Sequence, residues 1–196
     1  MQRLRERLPA SHDLSMTFDP KALVSRIRVP AGFFFAALYL YFSTPSAQSL
    51  WMGGSLAFIG ILIRAWATGH IRKNDELTVS GPYALTRNPL YFGSFVIGVG
   101  FSVAGANPII IAVFLACFTA IYLPVVRQEI EHLKLKFPKQ YERYQATVPV
   151  FFPRVALKSL GQERFSFHRY LKHREYRALI GFVAALSFLI LKLHQS

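Results

Sequence analysis

The sequence predicts an all-α membrane protein with five transmembrane helices and juxtamembrane amphipathic helices. Three observations carry that expectation. The chain of 196 residues is 53% hydrophobic yet bears a formal charge of +13, a pairing uncommon in soluble proteins. Its apolar residues come in long blocks rather than in the periods of half-buried helices or strands. Its charges are sorted by alternate connections, which membrane insertion demands and a soluble core does not.

The blocks place spans at 29–43, 50–67, 90–104, 108–126 and 178–191. Each is about 15 to 20 residues, enough to cross most of a ~30 Å hydrocarbon core once interfacial aromatics and tilt are counted. Apart from Arg64 and Lys192, every charged residue falls in 1–28, 68–89 or 127–177, while the links 43–49 and 105–108 carry none. Threading five spans from a cytoplasmic amino terminus puts the three charged segments on the cytosolic side and the neutral links on the other. The organisation is therefore a basic amphipathic segment, 1–28, followed by one integral membrane domain, 29–196. The basic excess reads as topology and attraction to anionic headgroups of the bilayer, not as a nucleic-acid footprint. A single cysteine, Cys117, falls in the fourth span as a small core residue, so neither a disulfide framework nor a cysteine-based metal site is expected.

Polar chemistry is expected where hydrophilic residues gather against the inner face. The first such region is Arg64 to Gly93. Arg64, near the inner end of the second span, either snorkels to the interface or faces a polar cavity in the bundle. Gly81 and Pro82 make a tight turn, and Arg87-Asn88-Pro89 repeats the device, with Pro89 opening the third span as its first helical residue. A helix amino terminus with unpaired N–H groups then lies beside an arginine, an arrangement that holds anions such as a carboxylate. The second region is Arg127 to Pro153. Ile130, Leu133, Phe137, Tyr141, Tyr144 and Val148 recur at three- and four-residue steps, the stripe of a helix lying along the membrane, which Pro138 divides in two. Glu129, two residues after Arg127, stands at the inner mouth of the fourth span, where a carboxylate is costly unless hydrated, paired or used. Lys134, Lys136, Lys139 and Arg143 read as headgroup contacts on the solvated face.

The string GPYALTRNPLYFG at 81–93 resembles the GPY-x3-RHP-x-Y-x-G signature of the isoprenylcysteine carboxyl methyltransferase and phospholipid methyltransferase superfamily. Further on, Glu129, Leu133, Phe137, Tyr141, Tyr144, Val148, Pro149, Phe151 and Pro153 match its second motif. Two departures stand out: Asn88 replaces a histidine, and Glu129-Ile130 replaces a pair of glutamates.

The resemblance implies an S-adenosyl-L-methionine-dependent methyltransferase of the EC 2.1.1 class, without a metal. Its cofactor pocket would lie at the cytosolic face, formed by Gly81, Pro82, Tyr83, Arg87, Asn88, Pro89, Leu90, Tyr91 and Glu129, with Glu129 and Arg127 in the catalytic role. Arg87 and the helix opening at Pro89 suit the cofactor's carboxylate. Glu129 suits its ammonium or ribose hydroxyls, and the tyrosines its sulfonium. The implied acceptor is lipidic or prenylated. Carboxyl O-methylation of isoprenylcysteine is the first label, and N-methylation of a phosphatidylethanolamine-type amine or another small lipophilic acceptor the alternative. A membrane scaffold or lipid-binding module would share the spans, but it gives no reason for Arg87 and Glu129 to stand in these two motifs.

Overall fold

The computed structural model describes residues 38–72, 76–154 and 163–195, which are helical with no strand among them. After the helical residues 38–42 come α1 (Ala47–His70), a 3-10 turn (Gly81–Ala84), α2 (Pro89–Ala104), α3 (Pro108–Lys136), α4 (Pro138–Thr147), α5 (Phe167–Lys172) and α6 (Tyr176–Gln195). The expected amphipathic segment 1–28 and most of the first span lie outside the described residues.

The helix boundaries follow local chemistry. Ser46 and Ser49 form a reciprocal capping box at the start of α1. Asn107 caps α3, its side chain accepting from the Ile109 N–H, with Pro108 in the first turn. Pro89 and Pro138 open α2 and α4 in the same way, as the sequence predicts, and Pro138 separates α4 from α3 at Phe137.

Three helices, α1, α3 and α6, are long and apolar enough to cross a membrane. The third apolar block forms only the 16-residue α2. At 1.5 Å per residue that is about 24 Å, short of a ~30 Å hydrocarbon core. The described residues thus give three candidate spans and one shorter apolar helix where the sequence predicts four. Cys117 is exposed on α3 instead of buried in a core, because that helix buries little beyond Ile110 and Val126.

Helices α1 and α2 pack antiparallel at backbone contact. Gly53 meets Gly100 and Gly60 meets Gly93, each pair seven residues from the next on both helices. A Cβ at Gly53 would stand 2.4 Å from the Gly100 oxygen, and one at Gly60 would stand 2.8 Å from the Gly93 oxygen. Such approach maximises dispersion contact where apolar burial gives no net drive. Helix α6 closes on this pair through Phe182 against Ala57 and Ile61, and through Leu189 against Leu50 and Ala104. Helix α3 meets α2 through edge-on rings: the Phe118 ring centre lies 5.2 Å from that of Phe95, and the Tyr122 ring centre 5.4 Å from that of Tyr91.

Arg64 ties three helices together. Its Nε and Nη2 donate to the two carboxylate oxygens of Glu175 at 2.6 and 3.0 Å, and Nη1 donates to Ser94 Oγ at 2.5 Å. The forked pairing suits a guanidinium better than an ammonium. Neither a free snorkelling head nor a lone charge in a cavity describes it; its partner lies just before α6.

Candidate functional site

The two motif regions, far apart in sequence, are sewn together by a short ladder. The Arg87 N–H donates to Pro149 O and the Arg154 N–H to Leu85 O, each at 2.9 Å. Between them the Thr86 hydroxyl donates to Phe151 O at 2.8 Å, and the Asn88 amide to Val150 O at 2.9 Å. From α4, the buried Tyr144 hydroxyl donates to Tyr83 O at 2.7 Å. The turn 83–88 is therefore held by the chain leaving α4, which accounts for the two motifs occurring together.

Gly81 begins this turn at φ +58°, a left-handed backbone that glycine adopts without strain. A Cβ there would also stand 2.6 Å from the His70 ring. That ring is buried, with Nδ1 2.9 Å from Trp66 O and Nε2 3.3 Å from Glu163 O. Gly81 and Pro82 are thus buried supports of the site, not part of its wall.

Above the ladder lies a cavity of about 330 Å³, within the range of small-molecule sites. Tyr83, Arg87, Asn88, Pro89, Leu90, Tyr91 and Glu129 all line it. The start of α2 and the polar end of α3 therefore share one chamber. Arg127 does not line it and is exposed, because two residues of helix carry it about 200° around the axis from Glu129. Residues the sequence reading gave no part in the pocket also form the wall: Arg72, Glu76, His132, and Lys136, which was expected as a headgroup contact. A signal for two of them was present, since Glu129, His132, Leu133 and Lys136 recur at helical spacing on one face of α3. Arg72 pairs with both Glu76 and Glu163.

The chamber holds donors without acceptors. Arg87 Nη1 donates to the Tyr141 hydroxyl at 2.8 Å, with the guanidinium carbon 5.7 Å from that ring's centre. Its buried Nε has no partner among the described residues, nor does the buried Tyr83 hydroxyl. Unsatisfied donors at buried positions are costly unless a ligand or water completes them. Burial raises the Tyr83 phenol far above its ordinary value, with the Tyr144, Glu129 and Tyr91 charges adding to the effect, so it remains a donor at neutral pH.

Comparison with known proteins finds both a family and individual relatives. Residues 48–140 match the family model described as phospholipid methyltransferase. Over those residues, just under half of the chain, it is similar to this family. Among curated relatives is the cobalt-zinc-cadmium resistance protein CzcN of Cupriavidus metallidurans, 34% identical over 119 residues, 60% of this chain and 53% of that protein. Another is the nickel-cobalt-cadmium resistance protein NccN of Alcaligenes xylosoxydans xylosoxydans, 34% identical over 108 residues, 54% of this chain and 49% of that one. The chain spans about half the length of these relatives. No solved structure matches it. The family similarity and the three helices long and apolar enough to cross a membrane both point to a membrane protein.

The wall has the donors that S-adenosyl-L-methionine requires. Arg87 with its spare Nε, and Tyr83 with its spare hydroxyl, would hold the carboxylate or a ribose oxygen. Glu129 would hold the ammonium, and Leu90 and Tyr91 would supply the apolar side.

Proposed function

We propose that the chain is an integral membrane methyltransferase that takes its methyl group from S-adenosyl-L-methionine and passes it to a lipidic acceptor. The observation that carries the reading is the convergence of Arg87, Tyr83 and Glu129 on one cavity inside a segment similar to a methyltransferase family. When bound, the cofactor supplies an electrophilic methyl group. The chain's own task is to position and desolvate the acceptor, and to deprotonate it where it is an amine. The cavity is expected to open to the cytosolic side, where the soluble cofactor is found.

Two acceptors fit. An isoprenylcysteine-type carboxylate is already ionised and needs no base. A phosphatidylethanolamine-type amine must first lose a proton, and it is favoured by Glu129 and His132 standing one helical turn apart on the cavity wall. The relatives' names extend the reading to a cell exposed to toxic metals. Methylation of a membrane component would be the link between this reading and the resistance those names state.

The test is incubation of the purified protein and candidate lipids with radiolabelled S-adenosyl-L-methionine. Base-labile label identifies an ester, and stable label an N-methyl group. A folded sample with no saturable cofactor binding overturns the reading in favour of a membrane scaffold.

A further inference from the structure

A second cavity, of about 670 Å³, adjoins the first and shares Leu77 and Tyr144 with it. The methyl-transfer reading makes no use of it. One wall is a face of α4 presenting Gln140, Arg143, Tyr144 and Thr147, spaced three, four and seven residues apart. Also lining the cavity is Arg154, an exposed residue on a separate stretch of chain whose backbone N–H donates to Leu85 O at 2.9 Å. Leu77, Val79, Ala84 and Val148 give an apolar floor.

No described carboxylate lines this cavity, and no ion pair of Arg143 or Arg154 occurs among the described residues. Two uncompensated guanidinia approaching one space from different elements, with an amide and a hydroxyl beside them, suit an anion with several acceptor oxygens. We infer that this cavity is a second site, for a phosphate group, separate from the chamber of Arg87 and Glu129. The source is a lipid headgroup or free inorganic phosphate. The apolar floor, with Val79 48% exposed, gives a headgroup's glycerol and first methylenes a surface that inorganic phosphate does not use. The inference stands whether or not the first cavity holds a methyl donor.

Equilibrium dialysis of the full chain in maltoside micelles, which carry no phosphate, tests it with two probes, dihexanoyl phosphatidic acid and inorganic phosphate. Saturable binding of about one equivalent of at least one probe is expected. The double variant R143Q/R154Q should lose at least about tenfold in affinity, the scale of one charge-assisted contact. The control K134Q/K139Q removes the same charge from positions as exposed as Arg143 and Arg154 but outside both cavities, and should lose less than about threefold, as expected for charges that act only through a screened general field. Binding of the lipid alone supports the site and assigns it to a headgroup, while equal binding of both probes supports it and assigns it to the bare anion. Absence of saturable binding in the folded wild-type chain overturns it without recourse to any variant. Equal losses in the two double variants also overturn it, since the attraction is then diffuse.

Discussion

Arg87 shows how one side chain serves both fold and chemistry. Its backbone is pinned to Pro149, one guanidinium nitrogen engages Tyr141, and Nε is left spare. Arg87→Ala should weaken S-adenosyl-L-methionine binding by about 1.5 to 3 kcal/mol, read by titration, because a charge-assisted hydrogen bond is lost. Tyr144 makes a different prediction. Burial raises its phenol well above the ordinary value of 10.0, with the Arg87 charge opposing and that of Tyr141 reinforcing the shift. A phenol raised on folding contributes stability that is complete below its unfolded pKa and is lost as pH climbs toward the folded one. The melting temperature should therefore hold steady through neutrality and fall above about pH 10. Tyr144→Phe should cost about 1 kcal/mol and flatten that fall, whereas an unchanged alkaline profile assigns the fall to other groups. At this scale Arg87, Glu129 and the tyrosines were legible because motif spacing is local. Asn88 was legible as a non-titrating position, but its bond to Val150 joins residues 62 apart and no local pattern encodes it.

Among the elements, the contact of α1 with α2 sets the largest mechanical demand. Replacing Gly100 by valine would drive a side chain against the Ala57 nitrogen and the Gly53 oxygen. Backbone cannot yield as a flexible side chain does, so a loss above about 3 kcal/mol is expected, seen as a collapse of folded yield in detergent. Gly181 on α6 has nothing within 4 Å of its would-be Cβ, and the matching Gly181→Ala should be neutral or slightly stabilising. The proline-opened starts of α2, α3 and α4 were readable in advance, since proline and asparagine act within a turn of where they stand. The number of spans was less readable. The block at 90–104 matches α2 to one residue, but a helix of 16 residues is too short to count among the candidate spans. The wall-forming His132 shares the helical spacing of Glu129, Leu133 and Lys136 and was readable from it.

For the molecule as a whole, the Arg64–Glu175 pair is the long-range tie. It spans 111 residues, which is why the sequence offered Arg64 without its partner. With side chains 25% and 10% exposed, breaking the pair leaves a poorly solvated charge. Arg64→Leu or Glu175→Leu alone should cost about 1 to 3 kcal/mol, less than a fully buried pair. The double variant should recover much of that loss, and chemical denaturation of all three variants measures the coupling. Additive losses would mean that the two groups act separately.

Helix α3 runs for 29 residues with Pro124 inside it, about 43 Å at 1.5 Å per residue. One rod therefore carries an oily stretch at its upper end and Glu129 and His132 at its lower end. Thicker or thinner membranes would slide or lean that rod to bury its oily part, and the carboxylate and imidazole would move with it. Turnover measured in vesicles of graded acyl length should accordingly peak at one thickness, with bilayer dimension acting as a physical setting on the chemistry below.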